Sequence, residues 1–301
     1  MFVVTYRKIF YALSGILVLG SIIATLVYGL NFGIDFKGGS ILEVAYPAGR
    51  PTQVALEEAI APLELKASVR PTGETGYIIR MKSLSEPERV SLTQAVSFNG
   101  AQKIEEKRFD SIGPLLGNES AKKSFASIAI VIIAIVLFIA FAFRKVSEPV
   151  SSWKYGIVAI IALIHDVIVP TGVFALLGHF KGYEIDSLFV TALLVVLGFS
   201  VHDTIVVFDR VRENLKINRT YGKKQTFAEI VGNSISQTFT RSINTSLTVF
   251  LSLIVLYFVG GVATQHFTLA LIIGIVAGTY SSIFLGSPLL VTIEKWQNRG
   301  K

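Results

Sequence analysis

The chain has 301 residues, 51% of them hydrophobic, a mean hydropathy of +0.60 and a formal net charge of +7. That composition excludes an ordinary soluble protein. The lack of cysteine excludes a thiolate metal site and a redox pair, so any domain outside the membrane must fold on its core alone.

Met1–Lys8 is short and carries Arg7 and Lys8. Ile9–Leu30 is apolar, free of charge and long enough to span a bilayer. A cleaved leader would have a shorter apolar stretch and a small-residue cleavage site, so the expectation is an uncleaved first helix with its N-terminus in the cytoplasm. Asn31–Lys123 is polar and charged, the size of one small domain. Ser40–Tyr46 alternates as a strand and Pro51–Ala61 has helical spacing. Leu65, Ala67 and Val69 predict a second strand. The turn PTGETG leads to a third, with Tyr77, Ile79 and Met81 on one face. Ser85 and Glu88 have capping-box spacing before a helix to about Val96, and Ala101–Phe109 predicts the fourth strand. The order β-α-β-β-α-β is that of the ferredoxin-like split unit.

Five more apolar helices follow: Ser124–Phe143, Tyr155–Leu177, Ser187–Phe208, about Ser242–Val259, and Phe267–Ile293. Arg144, Lys145 and Lys154 lie in one connection, and Arg210, Arg212, Lys216, Arg219, Lys223 and Lys224 in another. Lys295, Arg299 and Lys301 close the chain. The alternate connections are poor in base: Gly178–Asp186 has Lys181 alone and Gly260–His266 none. This bias puts both termini in the cytoplasm and Asn31–Lys123 outside, and it accounts for the basic charge without nucleic acid. The predicted fold is a polytopic α-helical membrane protein with six transmembrane helices and one α+β ferredoxin-like (βαββαβ) extracytoplasmic domain between helices 1 and 2. Its parts are residues 1–30, 31–123, 124–294 and a cytoplasmic tail 295–301. One span, a large outside domain and five further spans look like half of a two-fold transporter.

The chemistry centres on Leu193–Asn214, an apolar helix interrupted by His202-Asp203. A carboxylate inside a membrane helix is costly and is by default a functional candidate. Asp203 reads as a group that binds and releases a proton, or else as a carboxylate hydrated near the cytoplasmic end. Arg241, in QTFTRSINTS, is its candidate partner at similar depth, or an anchor that snorkels to the interface. His165-Asp166 lies deeper in its span and reads equally as a proton relay or as a polar helix–helix contact. Asn244, Thr245, Ser246 and Thr248 could hydrate a proton path or serve as packing glue. Gly198, Gly274 and Gly278 predict close helix contacts. No phosphate loop, cysteine nucleophile or H-E-x-x-H stands in the sequence, and one HD pair is a weak signal for an intramembrane hydrolase.

Phe32–Gly39, reading FGIDFKGG, resembles the signature of the SecD/SecF family. So do IGP at Ile112–Pro114, ALIHD at Ala162–Asp166, GFSVHDTIVVFDRVREN at Gly198–Asn214, RSINTS at Arg241–Ser246 and GTYSSIF at Gly278–Phe284. They occur in family order over nearly the whole chain. Their details resemble the SecF branch; SecD carries a much larger external region. His202 departs from the pattern, where many members have Asn. The resemblance implies a non-enzymatic subunit of bacterial protein export in the inner membrane, with no cofactor. It would pair with SecD, work with the SecYEG channel and YajC, and promote late, ATP-independent translocation of preprotein on the proton gradient. It implies that the family's membrane carboxylate is Asp203 and its basic partner Arg241. The joint at Asp35, Phe36, Gly38 and Gly39 is expected to transmit movement to the external domain. The alternatives are a proton-driven exporter subunit for small molecules or lipids, or a non-conducting assembly factor.

Overall fold

The structure is a computed structural model that describes residues 2–143, 151–222 and 225–298. The bases Arg144, Lys145, Lys223, Lys224, Arg299 and Lys301 lie outside the described residues. The chain forms two compact units, Phe32–Phe125 and the residues on either side of it. It opens with α1 (Phe2–Thr5) and α2 (Arg7–Tyr28), the latter long and apolar enough to cross a membrane.

The Phe32–Phe125 unit starts with the single turn α3 (Ile34–Lys37) and strand β1 (Gly39–Ala45). Helix α4 (Gln53–Ile60), strands β2 (Ser68–Thr72) and β3 (Gly76–Met81), helix α5 (Glu86–Val96) and strand β4 (Glu105–Ile112) follow. The sheet order is β2-β3-β1-β4 with every neighbouring pair antiparallel, the arrangement of the ferredoxin-like split unit. Leu42 pairs with Ile79 and Val44 with Tyr77, so the period of two sends one face of each strand inward. Leu56, Ile60, Leu92 and Val96 of the two helices close over that face. Thr52 Oγ1 accepts from the Ala55 N–H at the start of α4, and the Glu88 carboxylate accepts from the Ser85 N–H at the start of α5.

Two strands sit later than the alternation suggests. Glu64 and Lys66 have φ of 50° and 51°, so Leu65 enters the core from a left-handed turn and β2 begins at Ser68. Phe98 and Asn99 are also left-handed, at 51° and 57°, and the turn they form with Gly100 delays β4 to Glu105.

The signature glycines are positions of backbone contact. Gly38 has φ of 75°, and a Cβ there would lie 2.7 Å from Pro114 Cα. A Cβ on Gly117 would lie 2.6 Å from the Gly38 nitrogen. The beginning of β1 and the turn after β4 therefore touch main chain to main chain, which only glycine permits.

Five membrane-length segments follow: α6 (Pro114–Ala142), α7 (Ser152–Lys181), α8 (Ser187–Thr220), α9 (Phe227–Val259), and α10 (Val262–Tyr280) continuing through the π-turn Ser281–Gly286 into α11 (Ser287–Asn298). With α2 they make six candidate spans. Most run past the apolar stretches that predict them. α9 starts far ahead of Ser242 because Thr226 and Glu229 cap it and because its hydroxyls bond to carbonyls one turn back, such as Ser234 to Ile230 and Thr238 to Ser234. The spans α7, α8 and α10–α11 bury more than half of their apolar windows, whereas α2, α6 and α9 bury under a fifth. Gly274 packs on Val196 and Gly278 on Ser200, as close contact requires. Gly198 does not: a Cβ there would meet nothing within 4 Å, because it lies on the outer face of α8.

Candidate functional site

Asp203 lies on the inner face of α8, between two hydroxyl residues on the same helical stripe. Ser200, Asp203, Thr204 and Val207 are all buried, at the i, i+3, i+4, i+7 spacing of one helix face. Asp203 is 3% exposed and its Oδ2 has no hydrogen-bond partner among the described residues. The groups that act on it electrostatically are Ser242, His202 and Arg241. Ser242 Oγ of α9 is likewise buried and unpartnered among the described residues. The Ser242 hydroxyl is the donor nearest in effect to the Asp203 carboxyl, and a carboxylate buried with so little hydrogen bonding is costly in a membrane helix.

Arg241 stands across the α8–α9 hairpin. Asn214 Nδ2 donates to Ser234 Oγ at 2.8 Å and Arg210 Nε to Gln237 Oε1 at 2.7 Å. Continued along the two antiparallel helices, that register brings Asp203 opposite the Arg241–Thr245 turn. Among the described residues the two make no ion pair: Asp203 points inward, and Arg241 is on the exposed face of α9. Asn244, Thr245, Thr248 and Ser252 continue that exposed face, at helical spacing. Their hydroxyls satisfy themselves on their own helix, Thr245 on the Arg241 carbonyl at 2.9 Å and Thr248 on that of Asn244 at 2.8 Å. Ser246 alone of the predicted polar stretch turns inward, where it accepts from Thr279 Oγ1 at 2.7 Å. His202 is exposed.

His165 and Asp166 occupy the middle of α7, both buried. His165 Nδ1 lies 2.9 Å from Asp166 Oδ1, and its Nε2 has no partner among the described residues. Asp166 Oδ2 accepts from Ser200 Oγ at 2.5 Å and from Ser281 Oγ at 2.9 Å. Thr204 Oγ1 and Ser282 Oγ are 2.9 Å apart. The structure thus places Asp203 one helical turn after Ser200, the α8 residue that donates to Asp166, with Arg241 on the exposed face of α9. Asp35, Phe36, Gly38 and Gly39 belong to the other unit. Phe36 is buried there and packs edge-on against Phe32 at 6.0 Å.

Sequence reasoning missed Ser200, Ser242, Ser281 and Ser282. Their signal was position: Ser200 precedes Asp203 by one turn, and Ser281-Ser282 form a pair inside an apolar span. The π-turn that presents that pair has no composition signature.

Two family models match the chain: Protein export membrane protein SecD/SecF, C-terminal, over residues 93–296, and SecD/SecF GG Motif over residues 23–46. A Protein translocase subunit SecF of Thermobaculum terrenum is 45% identical, across 99% of this chain and 94% of its own length. One of Anaerolinea thermophila is 38% identical, across 97% and 94%. Among solved structures, SecDF of Thermus thermophilus, described as a translocon-associated membrane protein, is similar with a TM-score of 0.83 at 28% identity. A SecDF in a super-membrane-facing form is similar with a TM-score of 0.64 at 29% identity. Each match covers 98% of this chain but 38% of the SecDF chain, so this chain corresponds to a little over a third of that protein.

Proposed function

The chain belongs to the SecD/SecF family of protein-export membrane proteins, in its SecF branch, and from that premise we propose that it couples proton movement to the late stage of protein export. It acts with SecD, in the bacterial inner membrane, on preprotein emerging from the SecYEG channel, with YajC in the same assembly. Both termini face the cytoplasm and Asn31–Lys123 faces outward, as the distribution of Lys and Arg supports.

The observation that carries the reading is Asp203: a buried carboxylate with an unpartnered oxygen, in a membrane helix, opposite an arginine that it does not touch. In the resting arrangement Arg241 belongs to a polar stripe on an otherwise lipid-length helix. A guanidinium and four hydroxyl or amide neighbours do not suit a hydrocarbon surface. A facing helix of SecD covers them. Protonation of Asp203 changes its pairing with Arg241, and the helices repack. A proton crossing a membrane potential gains about 2.3 kcal/mol per 100 mV. A few protons therefore supply the roughly 5.5 kcal/mol that near-complete switching of a two-state element requires. The Asp35–Gly39 joint, with the backbone contact of Gly38 to Pro114 and Gly117, carries the movement to the external domain.

Asp203→Asn removes the titration and keeps the shape. In inverted membrane vesicles that hold the whole assembly, it is expected to abolish the stimulation of preprotein translocation by the proton gradient, while the SecD complex assembles normally. Full stimulation by that variant would sink the proposal. Cross-linking of the complex to SecYEG during translocation separates protein export from a proton-driven exporter of small molecules or lipids.

A further inference from the structure

The membrane core holds a second carboxylate that the proposed step does not use. Asp166 is 0% exposed, and three elements converge on it: His165 of its own helix, Ser200 of α8 and Ser281 of the π-turn. The next residue of the turn reaches α8 twice. Ser282 Oγ donates to the Ser200 carbonyl at 3.1 Å, and it shares a proton with Thr204 Oγ1 at 2.9 Å. A π-turn displaces carbonyls from the regular ladder, and here Ser287 Oγ donates to the Ser282 carbonyl at 2.8 Å. Gly278 makes room for the arrangement: a Cβ there would lie 3.0 Å from Ser200 Cβ and 3.6 Å from Asp166 Oδ2.

Both residues that flank Asp203 on its face of α8 are therefore tied to one six-residue turn. We propose that Asp166 is a positioning residue for Asp203: through Ser200 and Ser281 it holds the Ser200–Thr204 turn of α8 against Ser281–Gly286 and so fixes where the Asp203 carboxyl stands. The inference rests on the reading of Asp203 as the proton-binding group. It also supplies a release. A hydroxyl has one proton to donate, and Ser281 Oγ has two acceptors in reach, Asp166 Oδ2 at 2.9 Å and the Gly278 carbonyl at 3.1 Å. Rotation of that hydroxyl onto its own helix frees the turn from Asp166 without moving a heavy atom. π-turns inside α-helices are frequent at functional sites, and here the widened turn hydrogen-bonds to both α7 and α8.

The test reads Asp203 directly. Dicyclohexylcarbodiimide modifies protonated carboxyls in apolar surroundings, and peptide mass spectrometry quantifies its adduct at Asp203 in membranes holding the full chain with SecD. Asp166→Ala and Ser200→Ala are each expected to change the labelling rate at Asp203 by about threefold or more, the effect of half a unit in proton affinity. Ser281→Ala is expected to do the same, and Ser281→Thr, which keeps the hydroxyl, to restore the unaltered rate. A general packing defect would not be rescued by the larger threonine. Unchanged labelling of Asp203 in Ser200→Ala and Ser281→Ala would overturn the inference, even if Asp166→Ala fails to assemble. If Asp203 does not label in the unaltered chain, the proton-binding reading itself falls, and this inference with it.

Discussion

The two units of this chain solve the problem of a core in opposite ways. In Phe32–Phe125 the inward face is hydrocarbon: Leu42, Val44, Ile79, Leu56, Leu92 and Val96 are at most 2% exposed, and Ser40 is the one buried polar residue among the described residues of that unit. In the helical unit the buried set includes two carboxylates, a histidine and a run of serines and threonines. Water drives the first arrangement, since every apolar side chain gains by leaving it. In a bilayer the surroundings are as apolar as leucine, so hydrocarbon burial offers little, and helices are selected for small contacts and interhelical hydrogen bonds. The external domain's core therefore specifies a shape, whereas the membrane core buries carboxylates among hydroxyls.

The largest break of that contrast is expected at Arg241. Arg241→Gln keeps a polar side chain on the exposed face of α9 and removes only the charge. Because the residue is exposed on α9 and glutamine keeps a long polar side chain there, assembly with SecD is expected to persist. Export driven by the proton gradient is expected to fall as far as in Asp203→Asn, on the order of a hundredfold, since a charge pair acting as a unit fails when either half is lost. Stimulation near the unaltered level would mean that Arg241 is an interfacial anchor and that the two residues work separately.

The opposite behaviour is expected in the external domain. Ile79 is fully buried at the centre of the sheet, paired with Leu42 and Val69. Ile79→Ala removes three carbons and leaves a cavity, a loss of about 2–5 kcal/mol. Limited proteolysis of the full chain is expected to reach the domain at a lower temperature, while the Asp203 labelling by carbodiimide stays as it was. Altered labelling would show that the two units share one folding transition.

The sequence was most legible where one solvent rule applies along a whole element. Six apolar stretches, the period-two strands and the Ser85–Glu88 cap each carry a local signal, and the sheet order follows from them. Boundaries slipped where a local rule was overridden. The left-handed Glu64 and Lys66 admit Leu65 to the core without a strand. The polar start of α9 stays helical because serine and threonine bond to carbonyls behind them. At the site, Asp203 and Asp166 were visible as costly groups, but their relation was not. It depends on hydroxyls of α8 and of a π-turn, and neither periodicity nor composition encodes which serine faces which carboxylate. Matching depth and the family resemblance both named Arg241, yet the outward face it shares with Asn244, Thr245 and Thr248 came from the helix geometry.

The smallest effect sharpens the contrast at its polar edge. Glu88 sits at the start of α5 on the water-facing side of the external domain. The ammonium of Lys82 at 2.9 Å, then the N–H and hydroxyl of Ser85, hold its carboxyl down at about 2. A carboxylate whose folded value is depressed contributes stability above its ordinary value near 4.5, and the contribution is lost as pH falls from there through about 2. Water screens so exposed a pair, so the contribution is slight. Glu88→Gln removes it, and the acid midpoint of domain unfolding, followed by proteolysis of the full chain, is expected to rise by about 0.3 pH unit, with no change at pH 7 in export. A shift of a whole unit would mean that the surface ion pairs of this domain, and not its hydrocarbon core, set its stability, and the difference between the two units would then be one of degree.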